Sequence, residues 1–223
     1  GHGGYYKIPP LVDILSMQSL PEWNGATYLA ASNFNCLEFT GPTQNAAMGV
    51  TRYVFDETQG PYCALATGAA TVYRNYFSKH GKNVGQIKSA VNLLERTPIM
   101  VQNGYAMINK SDCDRLSSQK INWDDPALYQ VGVHRNCEVT TTRSQMAFKR
   151  APPGVIAHHV YAAALNFGGT CVRNEVTLPI AEGLLTAEYR GAILAAWENS
   201  QLFPDFPGSK KLSLTFLGGG VFR

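Results

Sequence analysis

The sequence has few charged residues and no apolar run long enough to cross a membrane. Only 16% of its 223 residues are charged, and the formal net charge is +3. No stretch approaches the roughly 20 apolar residues of a membrane span, so we expect no membrane partner. The basic residues are scattered, and Lys79, Lys82 and Lys88 are the nearest approach to a cluster. Nucleic-acid surfaces normally gather Lys and Arg in a stripe, so we expect no nucleic-acid partner either.

Disulfide, metal and cofactor motifs are also missing. The cysteine count is odd and no two cysteines have the close spacing of zinc ligands; they are Cys36, Cys63, Cys113, Cys137 and Cys171. His158 and His159 are adjacent, so their side chains point in different directions on a strand or a helix. The chain has no Gly-x-Ser-x-Gly elbow and no Walker loop. We therefore expect reduced thiols, no metal and no cofactor.

The cysteines and the N-terminal sequence together predict the cellular location of the protein. Reduced cysteines are typical of a reducing environment. The N-terminus lacks the charged-then-apolar pattern of a secretory signal. The sequence therefore predicts a cytoplasmic or nuclear protein.

What the sequence does contain is an interleaved series of strand and helix patterns. Residues 1–26 are rich in Pro and Gly and predict an N-terminal arm, and residues 27–223 predict one α/β domain. A buried strand is expected at 28–32, and strand or buried helix at 155–167. Interleaving of this kind favours a mixed sheet with helices on its faces. Further strands are predicted at 52–55, 129–141 and 211–217, and helices within 11–20, at 62–77, at 84–96, from 111 to 118 and at 180–197.

Two local patterns are especially clear. Asn103-Gly104 separates two apolar runs within 99–108, and this dipeptide supplies the two positive φ angles of a type I′ hairpin. The C-terminal helix has an apolar stripe at the helical period, formed by Leu184, Leu185, Tyr189, Ala192, Ile193, Ala196 and Trp197.

The first candidate site is the triple glycine after the last strand. Glycine reaches positive φ easily, so the amides of Gly218, Gly219 and Gly220 can converge on an anion such as a phosphate. Val221 and Phe222 could then contact a ribose or a base. The alternative is an ordinary tight turn.

The second candidate site follows the strand at 28–32. Asn33, Asn35 and Glu38 lie at its carboxyl end, where open α/β sheets bind ligands. A carboxamide can hold a ribose hydroxyl as donor and acceptor, and Glu38 can act as a general base. The alternative is that both asparagines only stabilise their own loop.

The third candidate site surrounds the Gly60-Pro61 turn. Asp56 and Gln59 are expected to face an opening, and Arg74 can bind a phosphate with its two-pronged guanidinium group. The alternative is an Asp56–Arg74 ion pair that joins a helix to a strand.

Two segments together resemble the macrodomain superfamily of ADP-ribose-binding proteins. They are Leu29-Ala30-Ala31-Ser32-Asn33-Phe34-Asn35 and Leu214-Thr215-Phe216-Leu217-Gly218-Gly219-Gly220-Val221-Phe222. The resemblance covers about twenty residues. It implies a three-layer α/β/α fold with a mixed, mostly parallel central sheet and, here, an inserted hairpin.

The same resemblance implies roles for these residues. Asn33 or Asn35 would approach the distal ribose, residues 218–220 the diphosphate, and Phe222 the distal ribose or the neighbouring phosphate. The sequence departs from the family where Cys36-Leu37-Glu38-Phe39 replaces the usual glycine run, and it has Glu38 alone instead of a pair of acids.

The resulting expectation is binding of ADP-ribose, a related nucleotide diphosphate or an ADP-ribosylated macromolecule. Hydrolysis of an ADP-ribosyl glycosidic bond would use Glu38 and Asp56. Two alternatives stay open: a binding module without catalysis, and an enzyme of another class that acts on a small molecule through Asp56, Gln59 and Arg74.

Overall fold

A computed structural model describes residues 13–144 and 147–219, in which helices surround a small mixed sheet. The strands are β1 (Thr27–Ala31), β2 (Lys79–His80), β3 (Asn83–Val84), β4 (Met100–Gln102), β5 (Tyr105–Met107), β6 (Gly132–Glu138), β7 (Thr141–Ser144), β8 (Ala147–Arg150), β9 (Ile156–Ala162) and β10 (Leu212–Ser213). The α-helices are α1 (Ile14–Met17), α2 (Gln59–Ala66), α3 (Gly68–Tyr76), α4 (Lys110–Ser117) and α5 (Thr177–Leu202). Short 3-10 helices span Pro21–Trp23, Ala46–Met48, Val50–Phe55 and Pro126–Leu128.

The main sheet has the strand order β10-β1-β9-β6. Strand β1 pairs in parallel with both β10 and β9, whereas β6 runs antiparallel to β9. The first four residues of β1 are buried, as are 157–162 of β9. Strands covered on both faces are expected to be nearly continuous apolar runs, and this explains why 28–32 was recognisable. The α/β class predicted from the sequence is confirmed.

The two faces of the sheet pack against different helices. Successive strand residues point to opposite faces, so Leu29 packs with Ala192 and Ala195 of α5. Tyr28 points the other way, into the main core, where it packs with Tyr62 of α2. Helix α5 therefore covers one face, and the segment around α2 covers the other.

Two predicted elements are wrong. Residues 52–55 form part of a 3-10 helix, in which Tyr53 is buried while Val54 and Phe55 are exposed. Residues 84–96 contain no helix. Gly85 has a φ of 66°, and a Cβ there would lie 2.4 Å from the backbone oxygen of Tyr76. The positive φ excludes residue 85 from a right-handed helix, and the N–H groups of Gln86 and Leu93 donate to the Asn75 and Phe34 carbonyls instead of to carbonyls within the segment.

The predicted C-terminal helix is confirmed, but its buried face is different. The buried residues follow one another at helical spacing along a face that is not wholly apolar; they are Thr177, Ile180, Gly183, Leu184, Glu188, Ala192, Ala195 and Asn199. Ile193 and Trp197 of the predicted stripe are 55% and 65% exposed. The apolar stripe differs from the buried face because that face includes the polar residues Glu188 and Asn199.

Several shorter predictions compare directly with the structure. The predicted helix at 62–77 is two helices, α2 and α3, separated at Thr67. Strands β4 and β5 are antiparallel, and Asn103 and Gly104 between them have φ angles of 47° and 85°. All five cysteines are free and buried. Among the described residues, none of the helices is long and apolar enough to cross a membrane.

Candidate functional site

A cavity of about 320 Å³ opens where β1 and β9 end. We call it the first cavity; its volume is at the lower end of the range for small-molecule sites. It is lined by residues 31–33, 38–40, 56, 58–61, 105, 162–164 and 215–218. The described lining contains no Lys, Arg or His, and its two carboxylates are Glu38 and Asp56.

The cavity lies beside an edge of β1 that β10 leaves uncovered. Strand β10 pairs only with Thr27 and Tyr28. Gln59 replaces it further along: its Nε2 donates to the Leu29 carbonyl at 2.8 Å, and its Oε1 accepts from the Ala31 N–H at 2.8 Å. Both polar ends of the Gln59 side chain are therefore used to complete the sheet, although the residue lines the cavity.

The first turn of α2 forms one wall. At Gly60 an added Cβ would lie 1.7 Å from the Ala31 carbonyl oxygen, so the helix can approach β1 only because this residue has no side chain. Before the helix, Asp56 Oδ1 accepts from the Thr58 N–H at 2.9 Å and from the Thr58 hydroxyl at 2.6 Å. Pro61 has no N–H and the Thr58 N–H donates to Asp56, so the Gln59 and Gly60 N–H groups are the donors of the first turn that have no intrahelical acceptor. These two groups give the wall its capacity to receive an anion.

Glu38 lies at the base of the cavity and is paired with Arg74. Arg74 Nη2 lies 3.0 Å from Glu38 Oε1 and 2.9 Å from Oε2, and each residue is 5% exposed. Burial raises the pKa of the Glu38 carboxyl above its ordinary value, and the Arg74 guanidinium opposes this rise without cancelling it. Burial alone would lower the pKa of Arg74, but the Glu38 carboxylate holds it above its ordinary value. The structure thus contains a buried ion pair whose acid lines the cavity.

Arg74 does not line the cavity. Each of its three guanidinium nitrogens donates to a partner within the protein. Its Nε donates to the Cys36 carbonyl at 2.6 Å, and its Nη1 donates to the Tyr161 hydroxyl at 2.6 Å. The carboxylate partner of Arg74 is Glu38 instead of Asp56, so the alternative ion pair considered from the sequence is not present. The guanidinium is not free to bind a ligand phosphate.

The ion pair continues into a buried hydrogen-bonded chain. The Tyr161 hydroxyl and His159 Nδ1 are 3.0 Å apart, and His159 Nε2 and Gln18 Oε1 are 2.7 Å apart. Because an amide oxygen only accepts, Nε2 carries the proton and Nδ1 accepts from Tyr161. Burial lowers the pKa of His159 well below its ordinary value, with the Arg74 charge adding to this effect. The chain therefore contains a neutral imidazole with a fixed tautomer.

The asparagines after β1 have structural partners. Asn33 lines the cavity, but its Nδ2 donates to the Phe39 carbonyl at 2.7 Å. Asn35 does not line it; its Oδ1 accepts from the Leu37 N–H at 3.1 Å. These are the local bonds of the alternative considered above, and they hold residues 33–39 in a compact loop that presents Glu38.

The β4–β5 hairpin supports the same loop. The Gly104 carbonyl accepts from the Phe34 N–H at 2.8 Å. The Tyr105 hydroxyl donates to the Phe39 carbonyl at 2.8 Å, and Tyr105 lines the cavity. The sequence analysis recognised the hairpin but not the contribution of Tyr105 to the site.

The glycine segment and the Asn33 loop line the same cavity. Gly218 lines the cavity and has a φ of 71°. The Gly219 N–H donates to the Phe216 carbonyl at 3.4 Å, whereas within the described chain the Gly218 N–H has no acceptor. Gly220, Val221 and Phe222, also predicted as site residues, lie outside the described residues.

Glu188 was missed by the sequence analysis. It is fully buried on α5, and its Oε1 accepts from the N–H of Ala163, which lines the cavity. Its Oε2 has no hydrogen-bond partner among the described residues. Burial raises the pKa of this carboxyl well above its ordinary value. The available signal was its position four residues from both Leu184 and Ala192, on the core-facing side.

Comparisons with known proteins give no further constraint on this site. No protein-family model, curated protein or solved structure matches the chain. Within 13–144 and 147–219, no group of three or more His, Cys, Asp or Glu residues is arranged to hold a metal ion.

Proposed function

We propose that the first cavity binds ADP-ribose or a related nucleotide diphosphate. The observation that carries the proposal is the meeting of three sequence-distant segments in one cavity at the carboxyl ends of parallel strands. These segments contribute Asn33, Glu38, Asp56 and Gly218. Ligands in open α/β sheets bind in this position.

The lining supports a ligand whose phosphates are held by backbone amides. The described walls contain no basic side chain. Two walls offer main-chain donors: the N–H of Gly218, which has no acceptor among the described residues, and the N–H groups of Gln59 and Gly60 at the start of α2. Oriented amides of this kind form anion sites without side-chain charge. In this proposal the diphosphate lies between these walls and the distal ribose lies towards Glu38.

The proposal retains a macrodomain-like fold, with three α/β/α layers, a mostly parallel sheet and the hairpin as an insertion. It also retains a cytoplasmic or nuclear location. The support for the fold is the parallel pairing of β1 with both neighbours and the different helices on the two faces.

A hydrolytic step fits the two carboxylates of the cavity. The oxygen of a water molecule would bond to the anomeric carbon as the bond from that carbon to the leaving oxygen breaks. Glu38 or Asp56 would take a proton from the water, and the leaving oxygen would gain one from solvent, giving two hydroxyl products. General-base catalysis of this kind contributes about 10²–10⁴-fold.

A specific observation favours a second candidate, a binding module without catalysis. Both oxygens of Glu38 lie within 3.0 Å of Arg74 Nη2. Because both carboxylate oxygens already accept from the guanidinium, they are less available to take a proton from a water molecule. The same cavity would then recognise an ADP-ribosylated macromolecule without cleaving it.

The first experiment is a thermal-shift titration with ADP-ribose, NAD and AMP. ADP-ribose at 100 times its Kd should stabilise the protein by about 2.7 kcal/mol. Thr215→Trp, which fills the cavity, should abolish the shift. Leu214→Trp is the control, since Leu214 is exposed and does not line the cavity. No shift at millimolar ADP-ribose would overturn the proposal.

A second experiment separates the two candidates. Release of ADP-ribose from a mono-ADP-ribosylated protein is measured for wild type, Glu38→Gln and Asp56→Asn. The hydrolase predicts turnover that falls by about 10²-fold or more in at least one variant, with ADP-ribose binding retained. Binding without turnover in all three proteins would identify the binding module.

A further inference from the structure

A second cavity of about 280 Å³ adjoins the first on the other side of Glu38. Four residues line both cavities, and they form the boundary between them: Glu38, Phe39, Thr40 and Asp56. The acid proposed to act on the glycosidic bond therefore faces both spaces. A ligand whose reacting bond lies beside Glu38 would have one part in each cavity.

The second cavity contains the positive charge that the first one lacks. Arg52 is the one Lys, Arg or His side chain in the described lining of either cavity. It is exposed, and no ion pair in the described chain includes it. An arginine that has no internal carboxylate partner can bind a phosphate or a carboxylate with its two-pronged donor group.

The acids near Arg52 are both engaged elsewhere. Glu38 is paired with Arg74, so its charge is balanced from below the cavity. Asp56 Oδ1 accepts two hydrogen bonds from Thr58 at the start of α2. The Asp56 carboxylate keeps its charge in this space, but no ion pair of the described chain joins it to Arg52, so the Arg52 guanidinium donors stay available to an anion.

The rim of the second cavity adds an apolar surface. Phe55, which lines the cavity, is 86% exposed. Large aromatic side chains exposed to this degree are frequent at binding surfaces. The 3-10 helix Val50–Phe55 thus presents a cation and an aromatic ring to the same space.

We propose that the second cavity is an anion-binding subsite in which Arg52 holds a phosphate or carboxylate of the ligand. This group belongs to the part of the ligand on the far side of Glu38 from the nucleotide. The assignment of the two ligand parts rests on the proposed function; the anion site itself is tested separately below. Phe55 packs against the uncharged portion that joins the anion to the reacting centre.

The test uses inorganic phosphate as probe, with acetate in a second arm and sodium chloride at matched ionic strength as reference. Melting temperatures are measured with each ion alone and in saturating ADP-ribose, which fills the first cavity. Phosphate at about five times its Kd should raise the Tm by about 2–4 °C. The rise should add to that of ADP-ribose. The acetate arm shows whether a carboxylate suffices.

Arg52→Ala should lose the added shift from phosphate and keep the shift from ADP-ribose. Arg150→Ala is the matched control, because Arg150 is an exposed arginine on β8 that lines neither cavity. In saturating ADP-ribose, the absence of a phosphate shift in the wild type, or a phosphate shift that survives Arg52→Ala, would overturn the subsite. An Arg52-dependent phosphate shift without any ADP-ribose shift would overturn the proposed function and leave the anion site standing.

Discussion

Arg74 and Glu38, 36 positions apart in the sequence, form a buried ion pair in which one guanidinium nitrogen contacts both carboxylate oxygens. The carboxylate faces the first cavity, while the guanidinium lies behind it and continues to Tyr161. The position of the acid therefore depends on a residue that no ligand in the cavity reaches. This relationship makes Arg74 a residue that positions Glu38.

Removing one partner of this pair should be costly. Arg74→Met leaves a buried carboxylate without its counter-ion, and we expect a loss of about 3–5 kcal/mol in the free energy of unfolding. The double variant Glu38→Gln, Arg74→Met should recover part of this loss, since no buried charge remains. Urea unfolding of both single variants and the double variant gives the coupling energy. Additive losses would show that the pair does not act as a unit.

The absence of a side chain at position 60 should be essential to the cavity wall. Gly60→Ala would place a Cβ 1.7 Å from the Ala31 carbonyl oxygen, so α2 or β1 must shift. We expect a loss of about 1–3 kcal/mol and weaker ADP-ribose binding. Gly41→Ala is the control, because nothing lies within 4 Å of an added Cβ there. Equal stability of the two variants in chemical denaturation would contradict this reading.

The Gln59 side chain should stabilise the sheet through both of its polar atoms. Gln59→Glu keeps an acceptor for the Ala31 N–H but removes the donor to the Leu29 carbonyl. Loss of a partner for a buried polar group costs about 1–3 kcal/mol. The comparison variant is Gln201→Glu, at an exposed position near the end of α5. If thermal unfolding is unchanged by Gln59→Glu, these two bonds do not support the strand edge.

Buried Glu188 should make stability fall as the pH rises. Its pKa is raised by burial in the folded protein, so the folded state keeps a proton that the unfolded chain releases above about 4.5. The free energy of unfolding then decreases with pH until the folded pKa is reached. Glu188→Gln removes this dependence while keeping an acceptor for the Ala163 N–H.

The stability of Glu188→Gln relative to wild type should therefore rise between pH 5 and pH 8, at up to about 1.4 kcal/mol per pH unit. Urea titrations at several pH values measure the difference. Glu182→Gln, at an exposed position on the same helix, serves as reference. A constant difference between wild type and Glu188→Gln across this range would show that Glu188 is ionised in the folded protein.

The sequence predicted those elements whose residues satisfy a local rule. Strand β1 is a short apolar run, and the Asn103-Gly104 pair has positive φ at both positions. It did not predict features that depend on distant partners. Gly60 is constrained by the oxygen of Ala31, and Arg74 is drawn inward by Glu38. The residues that flank Gly60 and Arg74 in the sequence do not indicate these contacts, because the partners come from other parts of the chain.

The same distinction applies to the site. Asn33 and Glu38 could be recognised because they follow a predicted strand, β1. Asp56, Gln59 and Gly218 were also predicted and also line the first cavity, although Asp56 follows a 3-10 helix instead of a strand. Whether a side chain faces a ligand or the protein depends on hydrogen bonds formed after folding. Glu188 was missed because one acid among apolar neighbours does not alter a helical period enough to be noticed.

The two-residue length of β10 has a consequence for how this protein can change. If the chain after Ser213 continued alongside β1, its main chain would take over the bonds now made by Gln59, and residues 214–218 would lie flat against the sheet. The open space would then disappear. The recess is therefore maintained by a missing stretch of backbone pairing, and insertions or substitutions that extend this pairing would remove it while making the sheet more regular.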